Sequence, residues 1–311
     1  MHPAYSVIFF TTATGAGYGL LALLGIAAGF DLLPINGAFA LASLAIAYIL
    51  IVSGLLSSTF HLGHPERAWR ALTQWRSSWL SREGVLAVFT FVPTGVFGFS
   101  WVVLDAPSGV VGMLGAIACG ATVYATSMIY VSLRTVQAWA DPWVTPVYLV
   151  LSITSGTLLA NALVHGFGVA LELDGIALLG LALAAIIKAG YWRSIERRGS
   201  DSTPESATGL GHLGKVRMLD PPHTGTNYLM TEMGYHIARK HAVKLRRLAF
   251  ITGIMIPFGL TVGSMFSMGI LSTVTTLLAL LFAAAGLLTE RWLFFAEAKH
   301  VVTLYYGATE A

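Results

Sequence analysis

Gly37-Ala-Phe-Ala-Leu-Ala-Ser-Leu-Ala-Ile-Ala-Tyr-Ile-Leu-Ile-Val-Ser-Gly-Leu-Leu-Ser-Ser-Thr-Phe60 runs for 24 residues without a charge, and His61-Leu-Gly-His-Pro-Glu-Arg-Ala-Trp-Arg70 follows it at once. About 20 apolar residues suffice for a helix to cross a bilayer, so the first run reads as a membrane span. The second is its polar edge, and it continues to Ser77-Ser-Trp-Leu-Ser-Arg-Glu83 before the chain turns apolar again. Residues 61–83 hold two His, four Arg, two Glu and three Trp, a dense set of polar and aromatic side chains at the level of the lipid headgroups.

The same alternation recurs along the chain. Of 311 residues, 56% are hydrophobic and 11% charged, whereas roughly 25% charged is usual in soluble domains. Eight apolar runs are expected to span, at about 5–29, 37–60, 84–104, 109–132, 144–167, 174–192, 248–269 and 271–289. In lipid each backbone must satisfy its own hydrogen bonds, and long Ala/Leu/Gly-rich runs do so as helices rather than as barrel strands. The expected fold is all-α: a polytopic integral membrane protein of eight transmembrane helices, with residues 1–311 forming a single membrane domain. The first apolar run has no basic region or small-residue cleavage site of a signal peptide beside it, so it reads as a retained span.

Eight spans put both termini on one side. All 18 Lys and Arg then fall on that side, while the opposite loops carry Asp31, Asp105, Glu172 and Asp174 and no basic residue. The positive-inside rule makes both termini cytoplasmic. A net charge of +3 distributed in this way speaks to orientation and headgroup contact, not to nucleic acid. Lys188, one turn from Trp192, reads as a side chain that snorkels to the interface. The small residues Thr14-Gly-Ala-Gly-Tyr-Gly19, Gly112, Gly115, Gly120 and Ser155-Gly156 favour close helix packing over a cofactor cleft.

Outside the spans, residues 194–245 form the longest polar segment. They begin Arg197-Arg-Gly-Ser-Asp-Ser-Thr-Pro204, and a basic amphipathic helix over 227–247 is expected to lead into the seventh span. Long ordered loops are usually functional, and this one reads as a docking surface for a cytoplasmic partner; the alternative is a solvated basic loop against anionic lipid. Gly209-Leu-Gly-His-Leu-Gly214 has no preceding strand and no Gly-Lys-Ser/Thr, so it is not a phosphate loop. The tail Glu290-Arg-Trp-Leu-Phe-Phe-Ala-Glu-Ala-Lys-His300 continues the eighth span. As a helix it would bring Glu290, Glu297 and His300 onto one face. Trp292 and Tyr305 would anchor such a helix at the interface, and its carboxylates would lie where protons must be exchanged.

One cysteine, Cys119, cannot hold an iron–sulfur cluster or a Cys-based zinc site, and inside an apolar run it reads as a buried packing residue. Transmembrane haem needs His pairs facing each other within spans, but among the nine His only His165 falls in one. No haem and no iron–sulfur cluster is therefore expected in this chain. The polar edge suits a quinone instead. Quinone reduction takes two electrons and two protons, so a site needs donors to the carbonyls, a group titrating near neutrality and access to water. His61 is the candidate donor; Arg67, Trp69 and Arg82 would orient or pack the headgroup, or hold a partner. Glu83, Glu290 and Glu297, with His300 beside them, are candidates to relay protons. Two rivals belong to other classes: a transporter, which would need charges at mid-membrane, and a purely structural anchor.

Residues 61–83 resemble the anchor subunits of the dimethyl sulfoxide reductase family of membrane-bound molybdoenzymes. That family shows His-Leu-Gly-x-Pro-x-Arg-Ala at the end of the second span and Ser-x-x-Leu-Ser-x-Glu before the third. Here these are His61-Leu-Gly-His-Pro-Glu-Arg-Ala68 and Ser77-Ser-Trp-Leu-Ser-Arg-Glu83. The resemblance implies quinol binding at His61. It also implies a three-subunit complex in the bacterial cytoplasmic membrane, with a molybdopterin catalytic subunit and an iron–sulfur electron-transfer subunit. The opening residues, the 194–245 loop and the tail differ from the dimethyl sulfoxide reductase anchor proper and look more like the anchor of cytoplasm-facing sulfite dehydrogenases. The implied function is electron transfer from sulfite oxidation to ubiquinone or menaquinone, with quinol oxidation feeding an S-oxide reductase as the alternative.

Overall fold

The computed structural model describes residues 4–59, 62, 64–198, 202–220, 225 and 241–309. Eight helices are long and apolar enough to cross a membrane: α1 Tyr5–Gly29, α2 Gly37–Ser57, α3 Trp79–Val102, α4 Gly109–Val131, α5 Val144–Phe167, α6 Asp174–Arg198, α7 Ala242–Met265 and α8 Ile270–Ala296. Among the described residues there is no strand. Large apolar side chains such as Leu41, Ile49, Phe89 and Ile117 stand more than half exposed on the outside of the bundle, where lipid covers them.

Helix α1 is the centre. It packs against α2, α4, α5 and α8, and its small residues are what allow this. A Cβ on Gly19 would lie 1.9 Å from the Ser152 carbonyl oxygen, and one on Gly156 would lie 2.2 Å from the Gly19 carbonyl carbon. The α1 and α5 backbones therefore touch at this crossing, as small-residue faces permit in lipid. A second such crossing joins α7 to α8, where a Cβ on Gly286 would meet the Gly253 Cα at 2.1 Å.

Several helices extend beyond their apolar runs. Helix α3 begins at Trp79 rather than near residue 84, because the Ser78 hydroxyl accepts the Ser81 N–H at 3.5 Å and caps the first turn. Helix α6 continues past Trp192 to Arg198, whose guanidinium pairs with buried Asp141 at 3.3 Å. Cations in a last turn also suit the helix dipole. Helix α7 is π-helical over Ile251–Met255, directly before Pro257. Proline has no N–H for the carbonyl four residues back, Gly253, so the ladder is already broken there.

Alternation brings the ends of α2, α4, α6 and α8 and the starts of α1, α3, α5 and α7 to one end of the bundle, the end of both termini. The described candidates Arg67, Trp69, Arg82, Glu83, Glu290, Glu297 and His300 belong to it. The 194–245 loop is in part helix, its first residues belonging to α6 and its last to α7. Most of the basic helix expected over 227–247 lies outside the described residues, which resume at His241.

Candidate functional site

The polar loop between α2 and α3 is a 3-10 helix over Pro65–Gln74 with no buried residue. Arg67 is exposed beside Glu66, at 3.5 Å, and Trp69 is 63% exposed. Arg82 donates to the carbonyls of Trp75 and Arg76 at 2.9 and 2.7 Å and lies over the Trp79 ring, so its guanidinium closes the loop onto α3. His61 lies outside the described residues.

One residue on, the direction reverses. Successive helical residues point about 100° apart, so where Arg82 faces out, Glu83 faces in and is 4% exposed. Its carboxylate accepts a 2.5 Å hydrogen bond from Thr126 of α4. A carboxylate one turn into a membrane helix is costly unless it is hydrogen-bonded or functional.

Across α1 from Glu83 lies a group that the amino-acid pattern did not disclose. Lys188 does not snorkel: it is 3% exposed and forms an ion pair with Glu290 of α8, over the rings of Tyr191 and Trp192. Its ammonium is held inside because a carboxylate 102 residues away meets it there. Arg291 is buried next to Glu290, with Nε 3.5 Å from that carboxylate and its guanidinium 3.8 Å from the centre of the Tyr148 ring. Tyr148 stacks on Tyr130, which meets Trp139, Phe294 and Phe295 edge-on. This aromatic floor fixes the guanidinium. Among the described residues, Arg291 Nη1 and the Tyr148 hydroxyl have no hydrogen-bond partner.

Arg291 and Tyr148 line a narrow cleft of about 10 Å³, whose other walls carry Thr11, Thr14, Ser152 and Thr126. Each of these four hydroxyls donates within the protein: to Val7, Phe10 and Gly15 carbonyls and to Glu83. Their oxygens remain free to accept. On the other side of Glu290 and Lys188 a second cleft of about 30 Å³ runs between α6, α7 and α8, past Gly253 and Ile254 of the π-helical segment. It shares Trp192 and Phe250 with a more open cavity of about 290 Å³ that reaches Glu196 and Arg246 at the bundle end. Irregular turns of this kind often mark functional sites.

Glu290, Glu297 and His300 do not share a helix face. Helix α8 ends at Ala296, so Glu290 points to Lys188 while Glu297, past the end, takes a bidentate pair with Arg246 at 3.0 and 2.9 Å. Arg246 also reaches Glu196 at 2.5 Å. His300 caps the 3-10 turn Val301–Tyr306, its Nδ1 accepting the Val302 N–H at 3.0 Å. Partial burial lowers the pKa of this imidazole below its ordinary value, so it acts there as a neutral acceptor.

The structure thus brings Glu83 and Glu290 to the two ends of one polar layer, leaves Arg67, Trp69 and Arg82 on the surface, and puts Glu297 and His300 at the rim. Sequence reasoning missed Thr126, Tyr148, Lys188 and Arg291. The signal available was the intramembrane lysine itself, which by default marks a functional site in a span. Among the described residues no group of three or more His, Cys, Asp or Glu is placed to hold a metal.

Residues 1–208 match the family described as DMSO reductase anchor subunit (DmsC). A sulfite dehydrogenase subunit from Allochromatium vinosum is 35% identical over 332 aligned positions, covering 98% of this chain and 99% of the relative.

Proposed function

Because the chain belongs to the family of DMSO reductase anchor subunits, we propose that it is the quinone-reactive anchor of a three-subunit molybdoenzyme, carrying electrons from sulfite oxidation to ubiquinone or menaquinone. The observation that carries the sulfite reading is the end-to-end likeness to a sulfite dehydrogenase subunit. The catalytic partner holds molybdopterin, and an iron–sulfur subunit docks on the basic end of the bundle, against the 194–245 loop. Both termini are cytoplasmic. Tyr305 donates to the Ala207 carbonyl at 3.5 Å, so tail and loop adjoin, which suits a continuous docking face.

At the membrane edge quinone, two electrons and two protons give quinol. His61 donates to one carbonyl, Glu83 supplies protons from within α3, and Arg67, Trp69 and Arg82 meet the headgroup or the partner. Glu290, Glu297 and His300 serve proton exchange. The buried Glu83–Thr126 pair supports this assignment, since a carboxyl held in apolar surroundings beside a polar loop can both take and give a proton. The test is the complex co-expressed with its two partner subunits, assayed in membranes with sulfite and either a quinone or an artificial dye. Replacing His61 with Ala should lower quinone-linked turnover by about 10²-fold, the scale of a lost proton-transfer group, while dye-linked turnover and assembly stay. Normal quinone kinetics in that variant would refute the assignment. The match to the S-oxide reductase anchors favours a second reading, quinol oxidation with electrons flowing to an S-oxide, and the same membranes assayed with dimethyl sulfoxide decide between them.

A further inference from the structure

The charges inside the bundle do not balance locally. Lys188 and Arg291 face the single carboxylate of Glu290; Glu297 beyond it is taken up by Arg246, and on the far side of the cleft the wall residue Thr126 is hydrogen-bonded to Glu83. A buried guanidinium N–H without a partner costs free energy, as does a buried charge without compensation. Arg291 is 2% exposed, its Nη1 is unpartnered, and it shares the cleft with Thr126, the hydrogen-bond partner of Glu83. The space is that of about one water, which needs roughly 10–15 Å³ and two to four polar partners. Arg291 as donor, with the free lone pairs of Thr11, Thr14 and Ser152 as acceptors, supplies them. Hydroxyls whose own protons already point at carbonyls leave a water no competing donor except Arg291 and Tyr148, which fixes the water's orientation.

We propose that this cleft is a water-bearing proton relay that connects Glu83, through the Thr126 hydroxyl, with the adjoining cleft of the Glu290–Lys188 pair, and through the cavity beside Trp192 with Glu196 at the bundle end. The relay deepens the quinone reading of Glu83 and rests on it. Each proton that Glu83 gives to a quinone oxygen is replaced by the Thr126 hydroxyl proton, Thr126 takes one from the cleft water, that water takes one relayed from the Lys188 ammonium in the adjoining cleft, and Lys188 regains its proton from bulk water. Two such passages accompany the two electrons delivered by the iron–sulfur partner, so one quinone becomes one quinol. Arg291 and Tyr148 are positioning residues: the guanidinium holds the water and pairs with Glu290 beside it. Arginine itself does not titrate in this range.

The assembled complex in membranes tests this, with electrons supplied by a reduced viologen and ubiquinone analogue as acceptor, so that the outcome does not depend on sulfite. Arg291→Gln should lower kcat for quinone about 10-fold or more with KM for quinone within about twofold, and raise the solvent deuterium isotope effect; Arg291→Lys should recover part of the rate. Thr126→Val, which removes one hydroxyl at constant shape, should show the same split at smaller size, and it serves if Arg291→Gln fails to assemble. Assembled variants with unchanged kcat and isotope effect would overturn the relay while leaving the quinone reading intact. A rise in KM alone would also overturn it, by making these residues part of the quinone pocket. Wild-type complex that exchanges electrons with the dye but never reduces quinone removes both.

Discussion

Two adjoining stretches treat their charges in opposite ways. From Pro65 to Arg82 the loop shows four arginines to solvent and satisfies them locally, by neighbouring carbonyls, by Glu66 and by tryptophan faces. From Glu83 inward, α3, α6 and α8 bury one carboxylate and one ion pair, each satisfied across the bundle, and one guanidinium held between its neighbour Glu290 and the Tyr148 ring. Exposed charges gain little from their partners, because water screens them and long side chains must be held still. Buried ones cannot do without theirs. The loop is thus the part a partner protein can lose or alter cheaply, and the layer beneath it is the part the fold is committed to.

That difference predicts a large asymmetry within the layer. Glu290 is the shared anion of Lys188 and Arg291, so Glu290→Leu strands two cations and should cost about 3–5 kcal/mol, the scale for breaking a buried pair. Lys188→Met removes one cation and leaves Glu290 with Arg291, and should cost clearly less. Thermal unfolding of the detergent-solubilised complex measures both; equal losses would mean that Glu290 is not shared.

Glu83 sharpens the comparison on the functional side. Glu83→Gln keeps the Thr126 hydrogen bond and the shape but cannot deliver a proton. Quinone turnover should fall about 10²-fold with dye-linked turnover and melting temperature nearly unchanged. A variant that keeps full quinone turnover would reduce Glu83 to a packing residue. At the other extreme, Arg67→Ala and Trp69→Ala should change stability by less than about 1 kcal/mol. If Arg67 holds a partner, its loss should instead weaken association of the iron–sulfur subunit, most at low salt, where surface charges are least screened. Pull-down of that subunit across a salt series reads this directly.

How far the sequence discloses these two regions follows from range. Spans are local: an uncharged run such as Gly37–Phe60 announces itself, and eight runs give eight helices, with α1, α4 and α5 set by apolar length alone. Ends governed by a cap are less visible, since Ser78 must be recognised as the start of α3 before Trp79–Arg82 can be read as helix. Glu83 could be singled out as a candidate because its motif is contiguous, though not its burial against Thr126. Lys188 was not, because its burial depends on Glu290, and no spacing rule links side chains on different helices. The tail misled for a related reason: the one-face argument for Glu290, Glu297 and His300 needs a helix through residue 300, and the helix stops at Ala296 so that Glu297 can reach Arg246.

The smallest effect expected lies in the tail beyond α8, at His300. Its lowered pKa places the folded value below the unfolded one, near 6.5. Protonation therefore favours states in which the ring is released: the contribution to local stability is complete above about pH 6.5 and is lost as pH falls through the folded value. The protonated Nδ1 can no longer accept the Val302 N–H, so the turn Val301–Tyr306 should loosen as pH falls through the folded value while α8 stays protected. Hydrogen exchange of a tail peptide, compared between pH 7.5 and 5.5 after correction for intrinsic rates, measures it. Since Val301 donates to the Thr135 carbonyl at 3.0 Å, the α4–α5 loop should respond with the tail. Equal protection at both pH values would assign the tail to the rigid buried layer, and a change that spread into α8 would mean that His300 belongs to the same electrostatic unit as Glu290.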